Sequence, residues 1–301
     1  MPNISEKAVL VRLSLSQWTA RKYDKRVSLE IAGQHGIDAD LGRYNKVLVD
    51  SNEIKKISKV ANATRTFFYT NTLPWSAEYW IRPTQGYMQF MTYLGEYRAE
   101  FDSKVRDFCG LYEQLREDAR RNLKGIFNPS DYPPVGAISN KFGFSVNVMP
   151  LAGAKDFRID LSQEEVDQMG RALEAQNKRA VQQAMKTAWY RLYEAVAHMS
   201  TKLNDTGSKQ IFRDSLVGNL EELTKILPVL NVANDPELTR MCDEVEHQLC
   251  SFDPENLRAD DKARQTTGRA AMSLAKELEE IIDKQVVTEE ADLLDSIING
   301  L

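Results

Sequence analysis

The spacing of hydrophobic positions changes along the chain, and each change predicts an element. In residues 8–16, Val9, Val11, Leu13 and Leu15 fall on one side and Arg12, Ser14 and Ser16 on the other, with Leu10 alone out of pattern. A period of two with β-branched residues at its start predicts a half-buried strand. A basic helix is expected next, from Gln17 to about Ala32, closed by Gly33 and Gly36, because glycine readily takes the left-handed conformation that ends helices. A further helix is expected over about 41–61, followed by an aromatic-rich connection punctuated by Pro74 and Pro83.

From Tyr87 the period lengthens. Tyr87, Met91, Leu94, Phe101, Val105, Phe108, Tyr112, Leu115 and Ala119 follow a three–four alternation, interrupted by Arg98. Such a run predicts a long helix with a coiled-coil-type stripe. It should end before Gly125, because Asn128-Pro129 and Tyr132-Pro133-Pro134 cannot continue it. A second long helix is signalled by Ser162-Gln-Glu-Glu165, a capping box in which serine and glutamate satisfy each other's backbone amides. Its seam runs Val166, Met169, Leu173, Ala180, Ala184, Ala188, Leu192, Ala195, Met199 and Leu203. Asn177 also falls on the seam, where a lone asparagine can fix register between helices.

Between these two helices the period returns to two. Phe142, Phe144, Val146 and Val148 alternate with polar or small residues, and Phe157 and Ile159 resume the pattern after Pro150. Residues 138–161 therefore read as a β-hairpin, with the 8–16 strand as the third strand that a hairpin needs for stability. Shorter amphipathic helices are expected over about 208–227, 235–250 and 257–285, separated by Pro228, Pro236 and Pro254. The fold class that results is mainly α. It comprises a long antiparallel, coiled-coil-like helical pair, a small antiparallel β-sheet at one end, and a C-terminal helical bundle. Three regions are expected: 1–86, with the strand and basic segment; 87–205, with the long helices and hairpin; and 206–301, with the C-terminal helices and an acidic tail.

Composition narrows the class further. Hydrophobic residues make up 42% and charged residues 28% of the 301 positions, values of a folded, soluble chain. No run of about 18 apolar residues suits a membrane-spanning helix, and the opening residues lack the apolar core of a secretory signal. Three scattered cysteines make no disulfide framework, so a cytoplasmic location is expected. The net charge of −5 is unevenly placed: residues 1–66 carry twelve Lys/Arg against seven Asp/Glu, and residues 251–301 six against twelve. A chain so polarised can present its basic end to phosphate or to an acidic partner, or pair head to tail with itself.

Candidate chemistry is sparse. Phosphate-binding glycine loops, HExxH and GxSxG are absent, and with three histidines no triad is visible. Neither catalytic nor cofactor-binding residues are assigned. Cys242, His247 and Cys250 sit close in sequence but lack the fourth ligand of a structural zinc site, so no metal is assigned. Trp18, Arg21, Lys22, Tyr23, Lys25 and Arg26 interleave cations with rings, the residue types that neutralise phosphates and stack on bases in single-strand binders. These six are the candidate nucleic-acid or partner contact. At the other end, Leu293, Leu294, Ile297 and Ile298 lie in an acidic frame and form a candidate docking helix.

Two stretches carry a resemblance to a known family: Leu13-Ser-Leu-Ser-Gln-Trp-Thr-Ala-Arg-Lys-Tyr-Asp-Lys25, and Phe127-Asn-Pro-Ser-Asp-Tyr-Pro-Pro134 with Lys141-Phe142 and Asp156-Phe-Arg-Ile-Asp160. Over roughly residues 9–200 the chain resembles an uncharacterised helical protein family of tailed phages and integrative elements. Its genes are often found near those for MoxR-type AAA+ ATPases and von Willebrand A-domain proteins. The resemblance implies a bacterial-host cytoplasm and an AAA+ ATPase or von Willebrand A-domain partner, and it supplies no catalytic residues. The expected function is non-enzymatic, in assembly or protein interaction through self-association (a homo-oligomer) or partner binding. The alternative is a nucleic-acid-associated role in phage replication or recombination.

Overall fold

The computed structural model describes residues 4–38, 40–153, 162–204 and 214–298, with Ser51 and the stretch 285–298 described as backbone only. In chain order the elements are β1 (Ala8–Ser16), β2 (Arg21–Tyr23), α1 (Lys25–His35), β3 (Asn45–Val47), α2 (Ser51–Thr70), β4 (Leu73–Pro74) and β5 (Trp80–Pro83). They are followed by α3 (Tyr87–Leu123), β6 (Gly143–Pro150), α4 (Gln163–Asn204), α5 (Ser215–Leu230), α6 (Pro236–Leu249), α7 (Pro254–Ala259) and α8 (Asp261–Ile298). The fold is mainly α with a small sheet and several C-terminal helices. The chain forms two compact units, each from separated segments. A helical unit takes residues 1–12, 69–87 and 148–301, and an aromatic unit takes 13–68 and 88–147.

In the helical unit, α4 runs antiparallel to α8. The end of α4 meets the start of α8: Arg264 donates to the Leu203 carbonyl at 3.2 Å, and Asn204 Nδ2 donates to the Gly268 carbonyl at 2.8 Å. Small residues make the approach possible. Ala184, Ala188 and Ala271 are fully buried, and a Cβ on Gly268 would lie 2.7 Å from Asn204 Oδ1. Leu192, Val196, Met199, Leu274 and Leu278 fill the space between, with α5 and α6 closing the core. Strand β5 pairs antiparallel with β1 (Ala8↔Pro83 to Val11↔Trp80) and with β4; Leu73 of β4 and Ile81 of β5 enter the same core.

In the aromatic unit, α3 supplies Phe101, Phe108, Tyr112 and Ala119 to a core shared with Ile57, Val60 and Ala61 of α2 and with Tyr132, Ile138 and Phe144. Phe67 stacks on Phe90 at 5.7 Å, while many other rings meet at angles. Phe108 lies 5.5 Å from Phe142 and 5.8 Å from Tyr112, and Phe101 lies 5.8 Å from Phe144, the tilted and edge-on geometry that the aromatic quadrupole favours. The second half of β1 lies beside β6, and β2 pairs antiparallel with β3, Lys22 opposite Lys46.

Several expectations are corrected. Both long helices form, but the stripe of each is used inside its own unit, and the long partner of α4 is α8. The apolar content of α4 explains this, because continuous burial begins only near Ala184 while Met169 remains exposed. Asn177, the seam asparagine, donates to the Ala152 carbonyl at 3.1 Å. Residues 17–32 are not one helix. Ala20 takes a positive φ of 52° and accepts from the Leu48 amide, so Arg21–Tyr23 is strand, and Asp24 caps a helix that starts at Lys25. The helix placed over 41–61 starts at Ser51, since β3 uses residues 45–47. Of the 138–161 hairpin, β6 is present beside β1 as expected, residues 135–141 form 3-10 turns, and 154–161, with Phe157 and Ile159, lie outside the described residues. Pro228 sits in the last turn of α5 rather than ending it, and α8 continues beyond 285 to Ile298.

Candidate functional site

The basic segment is built by a turn, a short strand and a capped helix. Asp24 caps α1 by accepting from the Val27 amide at 3.2 Å, which satisfies one of the orphan donors of the first turn. Gly36, at φ 63°, ends α1 with its amide on the Ala32 carbonyl. Asp24 also accepts from Lys46, a residue that no pattern in the chain singles out. Lys46 Nζ is buried and meets Asp24 Oδ2 at 3.0 Å, the Ile126 carbonyl at 3.0 Å and Asp131 Oδ2 at 2.6 Å. Burial works against the ammonium, but the hydrogen bonds and charges of the two carboxylates outweigh it and raise the Lys46 pKa. Asp24 is held below the carboxylate range first by its hydrogen bond from Lys46 and then by the Val27 amide. At Asp131 burial pushes upward, and the lysines at positions 46 and 22 overcome it, so its pKa is also lowered.

Around this knot the six predicted contact residues separate into two groups. Trp18 packs inward, edge-on to Tyr112 at 5.7 Å and tilted against Phe108 at 6.1 Å. Lys22 lies 3.3 Å from Asp131, and Arg26 pairs with Glu30 at 2.7 Å while donating to the Gly125 carbonyl. Arg21 and Lys25 are exposed and have no acidic partner among the described residues. Tyr23 is exposed and carries Arg43 over its ring at 5.9 Å. Five of the six are thus exposed, and Trp18 packs on the core.

What distinguishes this surface is apolar. Leu29 and Ile31 on α1, Ile37 and Leu41 beyond it, and Val47 on β3 are all exposed, Leu41 to 78%. Two of them, Ile31 and Ile37, line a cleft of about 180 Å³ together with Ser28, Ala32, Arg43 and Tyr44. Sequence reasoning missed these residues because residues 29–47 alternate irregularly and fit neither helical nor strand period over any length. The one available signal was a leucine between Asp40 and Gly42, in a segment otherwise typical of a polar loop.

The other candidates are structural or lie beyond description. Cys242 is fully buried, and burial followed by its acidic neighbours pushes its thiol up to about 12; Cys250 is raised likewise to about 12. Cys242 is a core residue, and Cys250 packs half-buried against the same core. No group of three His, Cys, Asp or Glu able to hold a metal occurs among the described residues, and none of their helices is long and apolar enough to cross a membrane. A larger cleft of about 420 Å³ in the helical unit is bordered by Lys7, Asn234 and Asp235. Asp235 is already committed there, capping α6 and accepting from Trp189 Nε1 at 3.1 Å. The side chains of Leu293, Leu294, Ile297 and Ile298 lie outside the described residues, although the α8 backbone extends through them.

Comparison with protein-family models, with curated proteins and with solved structures finds no match to this chain. The class is therefore set by the fold and surface themselves: a mainly α chain of two units, one of which exposes an apolar face beside basic side chains.

Proposed function

We propose that the protein is a non-enzymatic interaction protein that acts by self-association or by binding a protein partner through the α1 face of its aromatic unit. The supporting observation is the run of exposed aliphatic side chains over residues 29–41, Leu29, Ile31, Ile37 and Leu41, of which Ile31 and Ile37 line an apolar cleft. Contiguous exposed apolar surface is costly in water and marks recognition sites. The buried charges of the same unit are consumed in holding this surface in shape, with Lys46 bound on three sides. The family resemblance supports a phage or integrative-element setting in a bacterial cytoplasm, with an AAA+ ATPase or von Willebrand A-domain protein as the outside partner. Light scattering over a range of protein concentrations, with affinity isolation from phage-infected cells, tests the reading. The expected result is a mass above that of one chain, or a stoichiometric partner. A monomer that retains nothing overturns it.

A nucleic-acid-associated role is the second reading, favoured by one observation. Lys55, Lys56 and Lys59 lie exposed along α2, and Glu53 is the one acidic residue of that helix. Together with Arg21 and Lys25 they give phosphate several contacts, so binding should weaken steeply with salt. Filter binding at low salt that is absent, or unchanged when Lys55 and Lys59 become Ala, excludes it.

A further inference from the structure

We infer that two copies of this chain pair through the free edge of β3, strand against strand and antiparallel, an inference that rests on the proposed self-association. Strands β2 and β3 form a ribbon of their own, with Arg21 opposite Val47, Lys22 opposite Lys46 and Tyr23 opposite Asn45. The Leu48 amide donates to the Ala20 carbonyl at 2.8 Å, and the Asp24 amide to the Tyr44 carbonyl at 3.0 Å. Hydrogen-bonded and non-hydrogen-bonded pairs alternate along an antiparallel ladder. Leu48, Lys46 and Tyr44 therefore use their backbone groups on β2, and those of Asn45 and Val47 point the other way. These outward N–H and C=O groups have no hydrogen-bond partner among the described residues. A strand edge left so is a template for another strand.

The edge is open, and its two ends complement each other. Asn45 and Val47 are exposed, and Val47 borders a cleft of about 660 Å³ whose far wall includes Leu115, Ala119 and Leu123 of α3. Two antiparallel copies of β3 related by a two-fold axis at Lys46 set Asn45 opposite Val47 of the second copy, and every outward group of both strands finds a partner. Lys46 itself is turned into its own unit, where Asp24 and Asp131 already meet its charge. The same register sets Arg43 opposite Val49 of the second copy, next to Asp50 of that copy. Both Arg43 and Asp50 are exposed, and neither has an ion-pair partner among the described residues. Asp38 and Asp40 precede Arg43 in its loop, so the selectivity lies in register and not in net charge. The opposite edge of the ribbon lacks this complement. Strand β2 carries Arg21 and Lys22, with Lys25 following, and two such edges would set like charges side by side. A self-complementary contact of this kind closes at a dimer.

Sedimentation velocity on the full chain over a range of concentrations tests this, with thermal melting to establish that each variant is folded. Val47→Pro removes an outward N–H that the ribbon itself does not use, a substitution that edge strands tolerate. Arg43→Glu and Asp50→Lys each set like charges against one another across the two-fold axis. Wild type should dimerise, and each variant alone should weaken dimerisation by about tenfold or more. An equal mixture of Arg43→Glu and Asp50→Lys chains should regain the wild-type association, because their heterodimer again sets opposite charges at every 43–50 contact. If wild type associates but Val47→Pro changes nothing, or if the mixture associates no better than its components, edge pairing is overturned while self-association stands. Should Val47→Pro fail to fold, the mixture decides alone. If wild type is monomeric throughout, edge pairing and self-association fail together.

Discussion

The two units solve the same problem with different materials. The helical unit is held by aliphatic side chains on long helices: Ala184, Ala188, Leu192, Leu274 and Leu278 interlock, and its charged links, such as Arg240 to Glu237, Glu244 and Glu277, are on the outside. The aromatic unit is assembled from short, distant pieces around rings, with an ion cluster placed inside. Regular helices fix their own positions by periodicity, so the first unit needs little polar instruction. Short strands and turns have no such period, and the second unit positions them by specific hydrogen bonds, such as Tyr132 Oη to the Leu48 carbonyl at 2.7 Å. It follows that the helical unit should respond to lost volume and the aromatic unit to lost charge.

The largest effect is expected from Trp189→Ala. This ring is fully buried and its indole N–H binds Asp235, the cap of α6. Removing it leaves a large cavity and an unpaired carboxylate oxygen, at a cost of about 4–5 kcal/mol. Urea unfolding followed by hydrogen exchange should show amides of α4, α6 and α8 losing protection while those of α1 keep theirs. Equal loss in both units would end the comparison as drawn here.

Next in size is Lys46→Met in the aromatic unit. The substitution keeps the volume but leaves Asp24 and Asp131 buried without their cation, which should cost about 3 kcal/mol. Adding Asp24→Asn and Asp131→Asn should restore a good part of that loss, because the uncompensated charges are then gone. If the triple variant is weaker than Lys46→Met alone, the cluster contributes hydrogen-bond geometry rather than charge balance.

The same cluster predicts a response to acid. Folding lowers the pKa of Asp24 and of Asp131 below the usual 3.8, so the unfolded state binds protons at higher pH than the folded one. Their contribution is complete above the ordinary carboxylate range and is lost as pH falls through the lowered folded values. Exchange of α1 and β3 amides between pH 5 and pH 2.5 should therefore accelerate before that of α4 and α8, and the Lys46→Met, Asp24→Asn, Asp131→Asn chain should lack the difference.

A smaller effect returns to the helical unit. Gly268→Ala gains about 1 kcal/mol in helix propensity, but the new methyl meets Asn204 Oδ1 at 2.7 Å and Leu203 Cβ at 3.2 Å. Asn204 cannot simply turn away, since its amide is bound to the Gly268 carbonyl. Overpacking of about 2–3 kcal/mol should outweigh the gain and leave a net loss of about 1–2 kcal/mol, read as a lower urea midpoint.

The sequence was readable where local rules decide and opaque where distant residues do. The span of α3, the capped start of α4 and the strand at 8–16 follow from period and capping alone. The pairing of α4 with α8 does not. Many apolar stripes of similar period compete for the same partner, and only three-dimensional packing chooses among them. The basic segment was visible as composition, but its partition between β2 and α1 depends on Ala20 at positive φ and on Lys46 reaching Asp24. Nothing near Lys46 in the chain marks it as buried. The apolar face at Leu29, Ile37 and Leu41 was invisible for a related reason: exposure is a property of what does not cover a residue.

The mildest test concerns a feature legible from four residues. Ser162 Oγ accepts from the Glu165 amide at 3.3 Å and donates to Glu165 Oε2 at 2.6 Å, while the Ser162 amide donates to the same carboxylate at 3.0 Å. The hydrogen bonds to Ser162 hold the Glu165 pKa below its usual value. Ser162→Ala removes the hydroxyl and should cost about 0.5–1 kcal/mol, confined to the first turn of α4, because the core of the unit begins some twenty residues later at Ala184. Exchange of the amides of residues 163–168 should quicken while those of 184–203 do not. Quickening along the whole of α4 would mean that its exposed first half and its buried second half unfold as one, and that the division between self-specifying helix and packed core is drawn in the wrong place.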